Sequence, residues 1–339
     1  MTNKFKYISS GVVLCLLVGA LFLYPHDQVA VLTAEAAKRS FALDGELYIA
    51  DSKGISTKVG TGREVRAVYG ETENDVLIGK DLKINNSHSS DVGLFFVDKT
   101  TSEAKKVTED RIEFALLDNA KKNVLFLTPE GKIKRKNLAT NYEEEIADLA
   151  SIPSISPDDK YLAFKKMPEG WTAGDYSEGS PGVVVREIAS GKERVMADQE
   201  ADHAAFWTPD GSYMYFFGDN GYGLDSLFMI DSSGENRTLL TNIDLKEYDP
   251  KTIIPSISEP PIISQDGRYF IYESDREIWL VDIDTEQRKM RDARRIGYGI
   301  SPAWEKDSES VSIVFSGNGQ KSKPSIILVD LEGNLLNQN

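Results

Sequence analysis

The stretch Ala205-Phe-Trp-Thr-Pro-Asp-Gly-Ser-Tyr-Met-Tyr-Phe-Phe217 decides the fold. An apolar run with an aromatic end meets a Pro-Asp-Gly reversal and then a second apolar run, the grammar of two short strands joined by a tight turn. Proline sets φ for the turn, and aspartate accepts hydrogen bonds from the turn amides. The phrase recurs upstream as Ile155-Ser-Pro-Asp-Asp-Lys-Tyr-Leu-Ala-Phe164. Downstream it recurs as Ile262-Ile-Ser-Gln-Asp-Gly-Arg-Tyr-Phe-Ile-Tyr272 and Ala303-Trp-Glu-Lys-Asp-Ser-Glu-Ser-Val-Ser-Ile-Val-Phe315. The turn aspartates Asp158, Asp210, Asp266 and Asp307 are 52, 56 and 41 residues apart. Four-stranded units repeating every ~40–50 residues are the pattern of a β-propeller, in which no blade buries its faces alone.

Outward from these hairpins the chain divides into six units that begin at Val65, Glu113, Pro153, Ala204, Pro261 and Ala303, the last without a fourth strand. Upstream, Gly45-Glu-Leu-Tyr-Ile-Ala-Asp51 and Ile55-Ser-Thr-Lys-Val59 read as two more strands without obvious partners. The expected fold is therefore all-β. Residues 44–339 form a six-bladed β-propeller whose N-terminal strands complete the last blade; seven blades, one incomplete, is the alternative. A second recurrent phrase, an apolar residue followed by Asp, closes third strands at Val97-Asp98, Ile230-Asp231, Val281-Asp282 and Val329-Asp330. Turn formation accounts for these acids without any function.

The segments Ile155-Ser-Pro-Asp-Asp-Lys-Tyr-Leu-Ala-Phe164 and Trp207-Thr-Pro-Asp-Gly-Ser-Tyr-Met-Tyr-Phe216 resemble the blade motif of the TolB-like β-propellers, a motif also found in propeller domains of some prolyl-peptidase relatives. The motif is clear in the blades starting at Pro153 and Ala204, fair in the next two and eroded in the two before. There Asp118-Asn-Ala-Lys-Lys-Asn123 and Gly70-Glu-Thr-Glu-Asn-Asp75 stand in its place. The resemblance covers most of residues 60–331 and implies the fold; proteins of many roles share it.

At the N-terminus, Lys4 and Lys6 precede an uncharged run over residues 7–25, read as a membrane anchor or a signal segment. The small-x-small site Ala34-Glu-Ala36 lies well beyond the run, which favours an uncleaved anchor. The positive flank then puts the N-terminus in the cytoplasm and the propeller outside it, while cleavage would leave a secreted or periplasmic protein. Residues 26–43 read as a polar tether with a short helix over residues 33–39. Cys15, the only cysteine, follows Leu14 rather than a small residue, so no lipid anchor is expected there. A lone cysteine also excludes an intrachain disulfide.

With 39 Lys and Arg against 54 Asp and Glu, the net charge of −15 argues against nucleic acid as partner, because phosphate binding needs clustered cations. The three histidines, His26, His88 and His203, are too few and too scattered for a multi-histidine metal centre. The acidic runs Glu143-Glu-Glu145 and Asp282-Ile-Asp-Thr-Glu286 lack EF-hand spacing, and no Gly-x-Ser-x-Gly elbow occurs. Neither metal nor cofactor is expected.

In a four-stranded blade, the connections between first and second and between third and fourth strands share one face of the ring. Those between second and third strands, and from one blade to the next, share the other. The short turns fall on the first face. The long connections, at residues 80–91, 166–181, 219–225, 242–260 and 317–324, fall on the second and carry Trp171, Tyr176, Tyr222 and Tyr248. His203 precedes a blade on the same side. Aromatic residues on long loops above a rigid scaffold suit a binding surface for a protein or cell-envelope component; folding back as plugs is the competing reading. The alternative function is a hydrolase or lyase working in the axial channel, with His88, His203 and inward acids as candidates.

Overall fold

The computed structural model describes residues 39–51, 53–60, 65–80, 92–150, 153–167, 182–196, 205–219, 225–240, 261–306, 308–315 and 324–336. Among them the regular structure is all strand, arranged in seven antiparallel sheets. The first blade is β1 (Arg39–Leu43), β2 (Glu46–Ala50) and β3 (Ser56–Val59). The second is β4 (Val65–Glu71), β5 (Asp75–Lys80), β6 (Gly93–Asp98) and β7 (Ala104–Thr108), and the third is β8 (Phe114–Leu117), β9 (Asn123–Leu127), β10 (Ile133–Asn137) and β11 (Glu143–Ala147). The fourth is β12 (Ser154–Ile155), β13 (Tyr161–Lys165), β14 (Val183–Glu187) and β15 (Glu193–Val195). The fifth is β16 (Phe206–Trp207), β17 (Tyr213–Asp219), β18 (Asp225–Asp231) and β19 (Thr238–Leu239). The sixth is β20 (Ile262–Ile263), β21 (Tyr269–Ser274), β22 (Glu277–Asp284) and β23 (Lys289–Tyr298), and the seventh is β24 (Ile300–Trp304), β25 (Ser310–Phe315) and β26 (Ser325–Asp330).

The chain is thus a seven-bladed propeller, which corrects the six-bladed expectation. β1–β3 do not complete the last blade. They form a sheet covered on both faces, and that is the work of a blade. Leu47 and Val59 pack with Val65, Val76, Ile78, Phe95 and Val97 of the second blade. Phe41 and Ala50 pack with Val314, Ile326 and Leu328 of the seventh. β1 takes up the last residues of the segment read as a tether. It turns into β2 through Asp44 and Gly45, whose φ values of 51° and 79° are the two left-handed positions of a two-residue hairpin.

Two hydrogen bonds fix the direction of β1. The Ser40 amide donates to Glu71 at the end of β4 (2.5 Å), and the Val65 amide at the start of β4 donates to the Gly45 carbonyl (2.9 Å). β1 therefore runs opposite to β4, as a blade's second strand runs opposite to the next blade's first, so β1–β3 correspond to strands two to four. Among the described residues the seventh blade has no regular fourth strand. Its outer edge carries a bridge from Val329 to Leu335 and the Leu336 amide bond to the Leu328 carbonyl (2.7 Å). Closure of the ring adds a bridge between Ile55 and Ser325, and the Ile326 amide bond to the Gly54 carbonyl (3.1 Å).

The core lies between blades, where alternate residues of successive strands interlock. Phe126, Phe164, Tyr215, Phe216 and Phe270 are all fully buried. Each such side chain contributes roughly 1.5–3 kcal/mol by leaving water, so the seams outweigh any single turn. The turns between first and second strands meet on one face. The Asn119 amide donates to Asp159 (2.8 Å), the Tyr215 hydroxyl to the Gly267 carbonyl (3.2 Å) and the Gln265 amide to Ser308 Oγ (3.2 Å). This side is the turn face, and the opposite side is the loop face.

The repeated acids act as turn caps. Asp158 accepts from the Lys160 amide, Asp210 from Ser212 and Asp266 from Arg268. Asp98, Asp231 and Asp330 likewise accept amides of the turns that follow them. The fourth member of that set is shifted: β22 runs two residues past Asp282, and Asp284 accepts the turn amide of Gln287.

Candidate functional site

Trp171, Tyr176, His203, Tyr222 and Tyr248 all lie outside the described residues, as do His26, His88 and Cys15. The run over residues 7–25 is also outside them. Among the described residues no helix is long and apolar enough to cross a membrane. What the structure does describe is the root of every loop that carries these residues, and a cavity at the inner ends of the blades.

The cavity measures about 470 Å³ and is lined by β1, β4 and the first or second strands of the sixth and seventh blades, with Arg39, Ser40, Arg66, Glu71, Tyr272 and Glu273 as its polar residues. Arg39 is the central group. Its guanidinium donates to Ser312 Oγ (2.8 Å) and the Ser312 carbonyl (3.1 Å), and also to the Ser301 carbonyl. Burial lowers its pKa to about 10 against the opposing pull of Glu305 and Glu71, so it stays cationic at neutral pH. Glu71 bridges the Ser40 amide and Lys99 Nζ (2.7 Å), and Glu273 accepts the Ser301 amide (3.1 Å).

Two hydroxyls in this lining are buried without a hydrogen-bond partner, Ser40 Oγ and Tyr272 OH. Burial pushes the Tyr272 phenol well above its ordinary value, so it remains a proton donor. Orphaned buried hydroxyls beside a cavity are places for a bound water or a polar ligand. The described groups offer donors, acceptors and fixed charges. Among the described residues no group of three or more His, Cys, Asp or Glu is arranged to hold a metal ion.

Sequence reasoning passed over Arg39 because residues 26–43 read as a tether. The signal was present in Arg39-Ser-Phe-Ala-Leu43 followed by Asp44-Gly45, an alternating run ending in a two-residue hairpin turn.

A seven-bladed ring with Asp-capped hairpins on its turn face and a polar cavity at its inner strand ends is a β-propeller. No protein-family model matches the chain. Over 248 residues it is 24% identical to the Protein TolB homolog of Chlorobium chlorochromatii (strain CaD3), a match covering 73% of this chain and 46% of that protein. The chain thus spans about half the length of the curated relative it matches. Among solved structures, TolB from Acinetobacter baumannii aligns with a TM-score of 0.53 at 16% identity, covering 87% of this chain and 76% of that one. An oligogalacturonate lyase in complex with manganese aligns with a TM-score of 0.58 at 15% identity, covering 84% and 82%. The likeness to TolB holds in sequence and in fold, and at these identities the structural matches speak for the fold alone.

Proposed function

We propose that this chain is a membrane-tethered, extracytoplasmic propeller that binds a protein or cell-envelope component through its loop face, without covalent chemistry. One observation carries the reading. The strand pairs Lys80↔Gly93, Lys165↔Val183, Asp219↔Asp225 and Phe315↔Ser325 all open on the side opposite the turn face. The connections that bear Trp171, Tyr176 and Tyr222 therefore spring from one side of the ring, and β15 and β19, which lead to His203 and Tyr248, end on that same side by their pairings Val184↔Val195 and Phe228↔Leu239. A stiff scaffold with its long connections gathered on one side is suited to recognition. The run over residues 7–25 supplies the membrane anchor, with the N-terminus cytoplasmic.

The test is crosslinking in intact cells followed by recovery of the tagged full chain, wild type against the Trp171→Ala/Tyr222→Ala double variant. Loss of the recovered partner in the double variant is expected, and identical recovery removes this face from consideration. Protease accessibility of the propeller from outside the cytoplasmic membrane tests the topology.

The second reading, a hydrolase or lyase of the axial channel, is favoured by the inner cavity and its two unpartnered hydroxyls. It predicts turnover in a screen of glycans, lactones and peptides that His203→Ala abolishes. No turnover across that screen counts against it.

A further inference from the structure

The first residue of the second strand is tyrosine in three consecutive blades: Tyr161, Tyr213 and Tyr269. Each sits at a seam with the following blade on the turn face, and two of the three are covered by arginine. Over Tyr269 lies the guanidinium of Arg268, 4.5 Å from the ring centroid, and the tyrosine is 7% exposed. Over Tyr213 lies Arg288, which reaches across the seam from the turn between β22 and β23 and also donates to the Asn236 carbonyl (2.7 Å).

Tyr161 has the same neighbour as Tyr269 and lacks the cover. It stacks on Trp207 (6.4 Å, 29°) as Tyr269 packs on Trp304 (6.1 Å, 35°). Tyr161 is nevertheless 37% exposed, and among the described residues no cation lies over its ring. Lys160 stands where Arg268 does two seams along, but its ammonium pairs with Asp158 (2.8 Å). The turn of the fifth blade presents Ser232 and Ser233 to the seam, where the sixth blade's turn sends Arg288. The indole nitrogens differ in the same sense: that of Trp304 donates to the Ile262 carbonyl (2.8 Å), whereas that of Trp207 is buried without an acceptor. The result is an open groove of about 500 Å³. Its charged lining is Asp158, Glu187, Asp210, Lys192 and Arg194, and Arg194 is already engaged with the Ser232 carbonyl (2.6 Å).

We propose that this groove takes an arginine side chain carried on an extended segment of a partner protein, its guanidinium over Tyr161 in the place that Arg268 and Arg288 fill in the next two seams. The planar guanidinium stacks on an aromatic face and presents its edge donors to the groove carboxylates, which a lysine ammonium does less well. The chain's net charge of −15 draws such a cationic segment in. The groove is on the face opposite to the one assigned above to partner binding, so the two readings fail separately.

The probe is the peptide acetyl-Ala-Ala-Arg-Ala-Ala-amide, titrated into the purified full chain by calorimetry or NMR. Its controls carry neutral citrulline or glutamate in place of the arginine. Saturable binding of the arginine peptide is expected, with the citrulline peptide at least about fivefold weaker. Tyr161→Ala weakens the arginine peptide by about 5- to 30-fold, the worth of one cation–π contact of ~1–2 kcal/mol. Ser233→Arg, which puts an arginine on the turn facing the groove, competes with the peptide in the same way, and unchanged thermal unfolding shows that both variants are folded. The proposal is overturned if the citrulline or glutamate peptide binds as well as the arginine one, or if Tyr161→Ala leaves the affinity unchanged. It is equally overturned if no saturation is seen up to about 10 mM peptide, a concentration corresponding to a free energy of only ~3 kcal/mol.

Discussion

Replacing Arg39 tests how the ring is closed. The residue belongs to the first blade, and all its described hydrogen bonds go to the seventh: Ser312 Oγ, the Ser312 carbonyl and the Ser301 carbonyl. Arg39→Ala strips donors from acceptors in a seam where Ser312 is 1% exposed, and it removes a cation that Glu305 and Glu71 attract. Removing one side of a buried charge-assisted network costs about 3–5 kcal/mol. The burial that lowers the Arg39 pKa to about 10 works the other way, because it makes holding the cation costly, and it argues for the lower end of that range. At about 2 °C per kcal/mol in a unit of this size, the lower end of that range lowers the melting temperature of Arg39→Ala by roughly 6 °C. Arg39→Lys keeps the charge but not the fork of donors, and it falls between the two. Calorimetric melts of the purified full chain at neutral pH give the answer. A fall of less than about 2 °C for Arg39→Ala, within about 1 kcal/mol of wild type, would falsify the assignment of ring closure to this side chain.

Three further outcomes follow from the described residues. Gly299 sits at φ 151°, where a Cβ would lie 2.4 Å from Ile313 Cγ2 and 2.5 Å from the Val314 carbonyl oxygen, so Gly299→Ala destabilises by about 2–4 kcal/mol in denaturant unfolding; a loss under ~1 kcal/mol contradicts the close approach. Tyr272→Phe removes a buried hydroxyl that has no partner and changes stability by less than about 1 kcal/mol, whereas a larger loss means that the hydroxyl holds a water or ligand in the inner cavity. Hydrogen bonds from Lys160 and Ser156 hold the Asp158 carboxyl at about 2, below its ordinary 3.8. Its contribution to stability is therefore complete above about pH 4 and lost as the pH falls toward 2, and a carboxyl NMR titration midpoint at the ordinary value contradicts this.

The strands were legible in the sequence because their hairpins are local. Pro209-Asp210-Gly211 writes the turn, and the flanking runs write the alternation, so the predicted strands from Val65 to Asp330 and the observed ones differ by at most three residues at their ends, the largest misses being the end of β23 and the start of β24. The number of blades was not legible, because blade identity depends on what covers a sheet. Nothing local in Arg39-Ser-Phe-Ala-Leu43 says that Phe41 will meet Ile326 and Leu328, nearly the whole chain away. The same limit explains Asp282 and Asp284. Both sit two residues apart in an acidic run, and only the length of β22 decides which one reaches the turn. For the site, aromatic residues on long connections were readable as candidates from composition alone. The inner cavity was not, since Arg39, Glu71, Tyr272 and Glu273 come from three different blades.

Repetition makes the uncovered Tyr161 informative, where in a chain without repeats it would be one more half-exposed aromatic residue. The seams at Tyr213 and Tyr269 show what this architecture does with a tyrosine at that position: it lays an arginine over the ring, once from the same hairpin and once from across the seam. The two solutions are sequence-independent of one another, Arg268 lying in a first-to-second turn and Arg288 in a third-to-fourth turn, so the cover is a property of the position rather than of one motif. At Tyr161 both routes are closed, one by the Lys160 pair with Asp158 and the other by the two serines, yet the Tyr-Trp stack underneath is kept. Leaving an aromatic face open to water forgoes the cation contact of ~0.5–2 kcal/mol that its counterparts make. That contact is available to a cation supplied from outside the chain, and a wild-type groove that binds no arginine peptide while Tyr213 and Tyr269 remain covered would mean that the open seam is only a gap in the repeat.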